Sequence, residues 1–123
     1  MISNQSHIVI STATDLLRVS IRQILYIQSD GNYCTLFQTG GEMRMISYQL
    51  GQVEKMIAQQ LSQEQANDFV RIGRSLIINL RYVYYINLAK QQLVLSDAQN
   101  QKYTLTASRD ALASLKTLIE SNI

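Results

Sequence analysis

Phe69-Val-Arg-Ile-Gly-Arg-Ser-Leu-Ile-Ile-Asn79 sets two short β-rich runs around a glycine flanked by arginines. Residues 69–72 and 76–78 are rich in the branched and aromatic residues that suit strands, and Gly73 marks the turn between them. Arg71 and Arg74 are therefore expected on short, irregular backbone between strands, not on a loose tail. Arginine presents a planar fork of donors that matches phosphate or guanine edges bidentately. Ser75 can donate to a phosphate, and the Asn79 side chain can tie the turn. Taken alone, the same stretch also fits a loop with two solvated arginines.

Outward from this stretch the pattern stays β-rich. Proline is absent, so turns fall to Gly, Asn and Asp. Turn signals recur at Asp30-Gly31-Asn32, Gly40-Gly41 and Asp97-Ala98-Gln99-Asn100. Between them, residues 7–11, 16–21, 24–29, 33–38 and 42–47 read as strands, as do 82–88, 93–96 and 102–106. The Asp-Gly-Asn turn should join 24–29 and 33–38 in a hairpin. Met43 and Met45 would share one face of their strand. Residues 49–61 change period: Leu50, Val53, Ile57 and Leu61 recur at helical spacing, with Ser47 as the expected cap. Residues 108–121 repeat that pattern through Leu112, Leu115, Leu118 and Ile119, capped by Ser108. The expected fold is mainly β: small antiparallel sheets in a sandwich or barrel-like arrangement, with two short helices at about 48–61 and 108–121.

The chain has 123 residues, 46% of them apolar, which fits a single domain (1–123) with its own core. No apolar run approaches the roughly 20 residues that span a bilayer. The polar opening stretch, 1–6, carries no signal-peptide pattern. The single cysteine, Cys34, makes no internal disulfide, fits a reducing cytoplasm, and is best read as a small packed side chain. Net charge is only +2, but its distribution is uneven. Residues 1–68 sum to −2, residues 69–109 to +5 and residues 110–123 to −1. A basic segment in a near-neutral chain suits a polyanionic partner, although a solvated basic face has the same composition.

No catalytic constellation assembles. His7 is the only histidine, and neither zinc spacing, nor a phosphate-binding glycine loop, nor a nucleophile elbow is present. No enzyme activity, metal or cofactor is expected. Tyr82, Tyr84 and Tyr85 lie beside the basic segment and can stack on bases. In a regular strand Tyr82 and Tyr84 would share one face and Tyr85 the other, so packing is the simpler account.

The 69–79 stretch resembles the F-x-R-x-H-R-S-x-I-V-N signature of LytTR DNA-binding domains. Three further pieces agree in order and spacing. Ile24-Leu-Tyr-Ile-Gln-Ser-Asp-Gly-Asn-Tyr33 is similar to the family's I-x-Y-I-E-A-x-G-N-Y hairpin. Ser47-Tyr-Gln-Leu-Gly-Gln-Val-Glu54 is similar to its S-L-x-x-L-E helix, and Thr106-Ala-Ser-Arg109 to its closing V-S-R. The resemblance covers roughly residues 8–119. Gly73 departs from it, standing where the family usually has His.

The resemblance implies loops along one side of a β fold that enter successive major grooves and bend the DNA. Carried over by position, the DNA-binding residues would be Asn32, Tyr33 and Cys34 in the first loop, Arg74 in the second and Arg109 in the third. Arg71 and Ser75 would support the second loop. Lys90 and Lys102 match no motif. The implied partners are double-stranded DNA, a second copy on paired sites, and a receiver domain or sensor-kinase system. The implied role is sequence-specific transcription regulation in the cytoplasm. A β-rich protein-interaction module with a basic face is the alternative that the composition leaves open.

Overall fold

A computed structural model describes residues 6–123, so the opening stretch lies outside it except for Ser6. Among the described residues, ten strands form three antiparallel sheets. Strands β1 (His7–Ser11) and β2 (Leu16–Ser20) make a two-stranded ribbon. Strands β3 (Ile24–Asp30), β4 (Tyr33–Gln38), β5 (Met43–Ile46), β6 (Phe69–Ile72) and β7 (Leu76–Asn79) make a five-stranded sheet in the order β5-β4-β3-β7-β6. Strands β8 (Val83–Asn87), β9 (Gln92–Ser96) and β10 (Lys102–Thr106) make the third, in the order β10-β9-β8. No sheet closes on itself, so the arrangement is a layered sandwich and not a barrel.

The five-stranded sheet is the middle layer. On one face Ile27 and Ile77 pack with Ile8 and Val19 of the ribbon and with Leu50, Val53 and Ile57 of helix α1 (Leu50–Gln60). On the other, Tyr26, Ile72 and Ile78 pack with Leu93 and Leu95 of β9 and with Leu112 and Leu115 of helix α3 (Arg109–Glu120). A sheet covered on both faces needs apolar residues at successive positions, which is why Ile24 through Ile27 are all buried. A register shift between Ile24 and Tyr26 puts Ile24 and Ile27 in one core and Leu25 and Tyr26 in the other. Burying each such side chain contributes about 1.5–3 kcal/mol, so the cores hold the middle sheet firmly.

The helices differ from expectation in three details. Helix α1 starts at Leu50, with Gln49 as N-cap; the Gln49 amide donates to the Gln52 side chain at 2.8 Å. Ser47, the expected cap, stands outside the helix because the chain is still extended there. Leu61 is also extended, and a third, short helix, α2 (Gln63–Ala66), follows it. The Ser62 hydroxyl caps this turn, accepting from the Gln65 amide at 3.2 Å. Its sequence has no apolar stripe, so periodicity misses it, while the Ser62-x-x-Gln65 capping pattern marks it. The cap expected at Ser108 is present: its hydroxyl accepts from the Ala111 amide at 3.2 Å.

Packing does not account for Tyr84 and Tyr85. A register shift between Val83 and Tyr85 breaks the alternation of β8, and both tyrosines face outward, 66% and 46% exposed. Among the described residues, no helix is long and apolar enough to cross a membrane.

Candidate nucleic-acid interface

The strand registers gather three loops at one end of the molecule. Asp30 pairs with Tyr33, leaving Gly31 and Asn32 as a two-residue hairpin loop. Gly31 takes φ +68 while Asn32 keeps a negative φ, the requirement of a type II′ turn, which favours glycine first. Gln28 pairs with Leu76, and the Ser29 amide donates to the Ser75 carbonyl at 2.8 Å, so the 73–75 turn lies beside the first hairpin. Helix α3 brings in the third loop. The helix lines a cleft of about 270 Å³ against Val70, Arg71, Ile72 and Gly73 through Ala111, Ser114, Leu115 and Leu118. Its late residues Ile119 and Glu120 lie beside Leu80 and Val83. Arg109, the first residue of α3, therefore sits at the Gly73 end.

The opposite end is fixed by other contacts. The buried Asp97 carboxylate accepts from the amides of Gln99, Gln101 and Gly40 at 3.0, 2.9 and 3.5 Å and from the Tyr103 hydroxyl at 3.2 Å. Burial pushes its pKa up, but these donors outweigh burial and hold it below the ordinary value. Gly40 follows the far end of β4, so the 97–101 turn points away from the three loops. The Tyr82 hydroxyl donates to the Arg22 carbonyl, which places Arg22 at that far end too.

Asn32, Tyr33, Arg74, Ser75 and Arg109 are exposed at the loop end. Gln49 Nε2 donates to Asn32 Oδ1 at 3.3 Å, tying the hairpin tip to the start of α1. Cys34 is fully buried, facing the core between β4 and α1. Burial raises its thiol pKa, the Arg71 charge pulling weakly the other way. No surface contact is open to that side chain; β alternation turns it inward where Tyr33 turns outward.

Arg71 is exposed but already engaged. It donates to Glu54 at 3.1 Å and to the Arg74 carbonyl at 3.1 Å. Gly73, between them, has φ +61, and a Cβ there would meet nothing within 4 Å. Position 73 is thus open to solvent, and its requirement is conformational. Arg81 and Lys116 are also paired, with Asp68 and Glu120. Arg74 and Arg109 have no carboxylate partner among the described residues. Gln49 and Glu54 were not singled out as site residues in the sequence, although Glu54 ends the Ser47–Glu54 motif. Asn79, expected to tie its turn, is buried; its amide donates to the Ile24 carbonyl at 2.8 Å, and its Oδ1 accepts from the Arg81 amide at 3.1 Å.

Elsewhere, a groove of about 490 Å³ runs between β8 and the end of α3, lined by Leu80, Tyr84, Tyr85, Ile119 and Ile123. Its charged residues, Lys116 and Glu120, pair with each other at 2.7 Å. Among the described residues no three His, Cys, Asp or Glu side chains gather as a metal would need.

These features define a mainly β domain of three open antiparallel sheets with a loop end bearing unpaired arginines. The model of the LytTr DNA-binding domain family matches residues 14–120, nearly the whole chain, and the protein belongs to that family. A solved LytTr DNA-binding domain of a response regulator from Bacillus cereus has the same fold. The TM-score is 0.62 at 16% identity, covering 94% of this chain and 97% of that one. No curated protein matches. DNA binding in transcription regulation is the function this family carries.

Proposed function

We propose that the chain binds double-stranded DNA sequence-specifically, with its three end loops entering successive major grooves to control bacterial transcription. One observation carries this reading: loops 31–33, 73–75 and 108–109 share one end of the fold, and two of them present arginines free of carboxylate partners. In this mechanism Arg74 and Arg109 read base edges with bidentate donors, while Asn32, Tyr33 and Ser75 make shorter-range contacts. Arg71 holds the second loop from behind, and Cys34 supports the first from inside the core. The binding is loop-borne, unlike the helix insertion of helix-turn-helix regulators. Paired sites occupied by two copies, and control by a receiver domain or sensor kinase, belong to the same reading.

Binding to duplex DNA measured over a range of salt tests it. With three to six phosphate contacts, the slope of log K against log salt is expected at about −3 to −5. Selection from a random duplex pool should return a defined site. A slope near zero would instead favour a protein-interaction module with a basic face.

A further inference from the structure

We infer that the turn between β8 and β9, residues 88–91, is a further DNA-backbone contact, with Lys90 gripping a phosphate beside the Arg109 loop. The inference rests on the DNA-binding reading above and adds a contact that no motif marks.

The turn is joined to the third loop through Gln91 and Gln92. Thr106, the last residue of β10, pairs with Gln92, the first of β9. One residue further out, the Ala107 amide donates to the Gln91 carbonyl at 3.3 Å, and Gln91 Nε2 donates to the Ala107 carbonyl at 3.3 Å. Ala107 is followed directly by Ser108 and Arg109, so the turn is hydrogen-bonded to the start of the loop that carries Arg109. Helix α3 follows and packs along residues 70–73 in one cleft, with its late residues Ile119 and Glu120 beside Leu80 and Val83. Lys90 thus belongs to the loop end of the molecule.

The turn is also built rather than loose. The Gln91 amide donates to the Leu88 carbonyl at 3.2 Å, and the Lys90 amide donates to the Asn87 side chain at 3.0 Å. Gln91 itself sits at φ +52, a conformation that non-glycine residues rarely adopt and that closes the turn tightly. Lys90 is exposed and has no carboxylate partner among the described residues. Lys102 makes the contrast. It pairs with Ser96 at the far end, its Nζ donates to the Asn100 carbonyl at 3.2 Å, and the ammonium lies 4.5 Å from the Tyr84 ring centre.

An ammonium on a flexible stem is a point charge for phosphate, without the planar fork that reads a guanine edge. Lys90 should therefore contribute affinity and register but no base discrimination. Lys90→Ala, Lys90→Arg and Lys102→Ala in the full chain, titrated by fluorescence anisotropy on a selected and a scrambled duplex across salt, test this. Lys90→Ala should flatten the salt slope by about 0.9 and weaken both duplexes by the same factor. Lys90→Arg should restore the slope, and Lys102→Ala should leave it unchanged. If the parent chain binds and Lys90→Ala keeps its slope, or if Lys102→Ala flattens it equally, this inference fails while the DNA reading stands. A narrowed ratio between the two duplexes in Lys90→Ala would overturn the phosphate role. Absence of binding to either duplex by the parent chain would overturn the DNA reading and this contact with it.

Discussion

Arg71 on β6 and Glu54 on α1 form an ion pair at 3.1 Å, and the same guanidinium donates to the backbone carbonyl of Arg74 at 3.1 Å. The helix thereby braces the turn that presents Arg74. The pair is partly exposed, so its own contribution to stability should be below about 1 kcal/mol. Its effect on DNA binding should be larger. Glu54→Gln is expected to leave the melting curve nearly unchanged and to weaken binding to the preferred site several-fold. If Arg71 touched DNA directly, removing the nearby negative charge would strengthen binding instead, and an anisotropy titration separates the two.

Gly73 occupies the left-handed region at φ +61 with open space around it. A side chain there meets no clash and costs only backbone strain. Gly73→Ala should lower stability by about 1 kcal/mol, and Gly73→Asn by less, because asparagine tolerates this region better. Gly73→His restores the residue the family usually carries and should behave like the Asn variant in a melt. A shift in base preference, read by selection from a random duplex pool, would place position 73 at the DNA.

Asn79 is buried, and its side chain satisfies three backbone groups, the carbonyls of Ile21 and Ile24 and the Arg81 amide. Asn79→Ala leaves the Arg81 amide and the Ile24 carbonyl without that partner. A loss of about 2–3 kcal/mol is expected, measured by urea unfolding with an unchanged m-value. A loss below about 0.5 kcal/mol would mean that other groups or solvent replace these bonds.

Asp97 ties the 97–101 turn to Gly40 and Tyr103, and its folded pKa lies below the ordinary value. A depressed carboxylate pKa adds stability above the ordinary carboxylate range and loses it as pH falls through the lower folded value. Stability should therefore decline below about pH 4 more steeply in the parent chain than in Asp97→Asn. Parallel stability–pH curves for the two proteins would contradict this.

The strands were legible because short β-rich runs and Gly/Asn/Asp turns punctuate the chain. The hairpin at Gly31-Asn32 and the cap at Ser108 follow from local chemistry alone. What stayed hidden depends on tertiary context. Helix α2 has a capping pattern but no apolar stripe, and the shift at Val83/Tyr85 turns two tyrosines outward against strict alternation. Position in a motif placed Cys34 in a loop, whereas strand alternation points its side chain into the core. The brace from Gln49 and Glu54 links residues 17 positions apart in each case, a relation that only the fold supplies.

In the proposed mechanism Arg74 and Arg109 read sequence from one end of the fold. The direct measurement is the affinity ratio between a preferred and a scrambled duplex for Arg74→Ala, Arg109→Ala and Arg22→Ala, Arg22 lying at the opposite end. Each loop variant should lose about 1–3 kcal/mol of discrimination, while Arg22→Ala keeps the parent ratio. Equal small losses for all three, with the ratio unchanged, would show that these arginines are solvated surface and that the loops do not read the DNA.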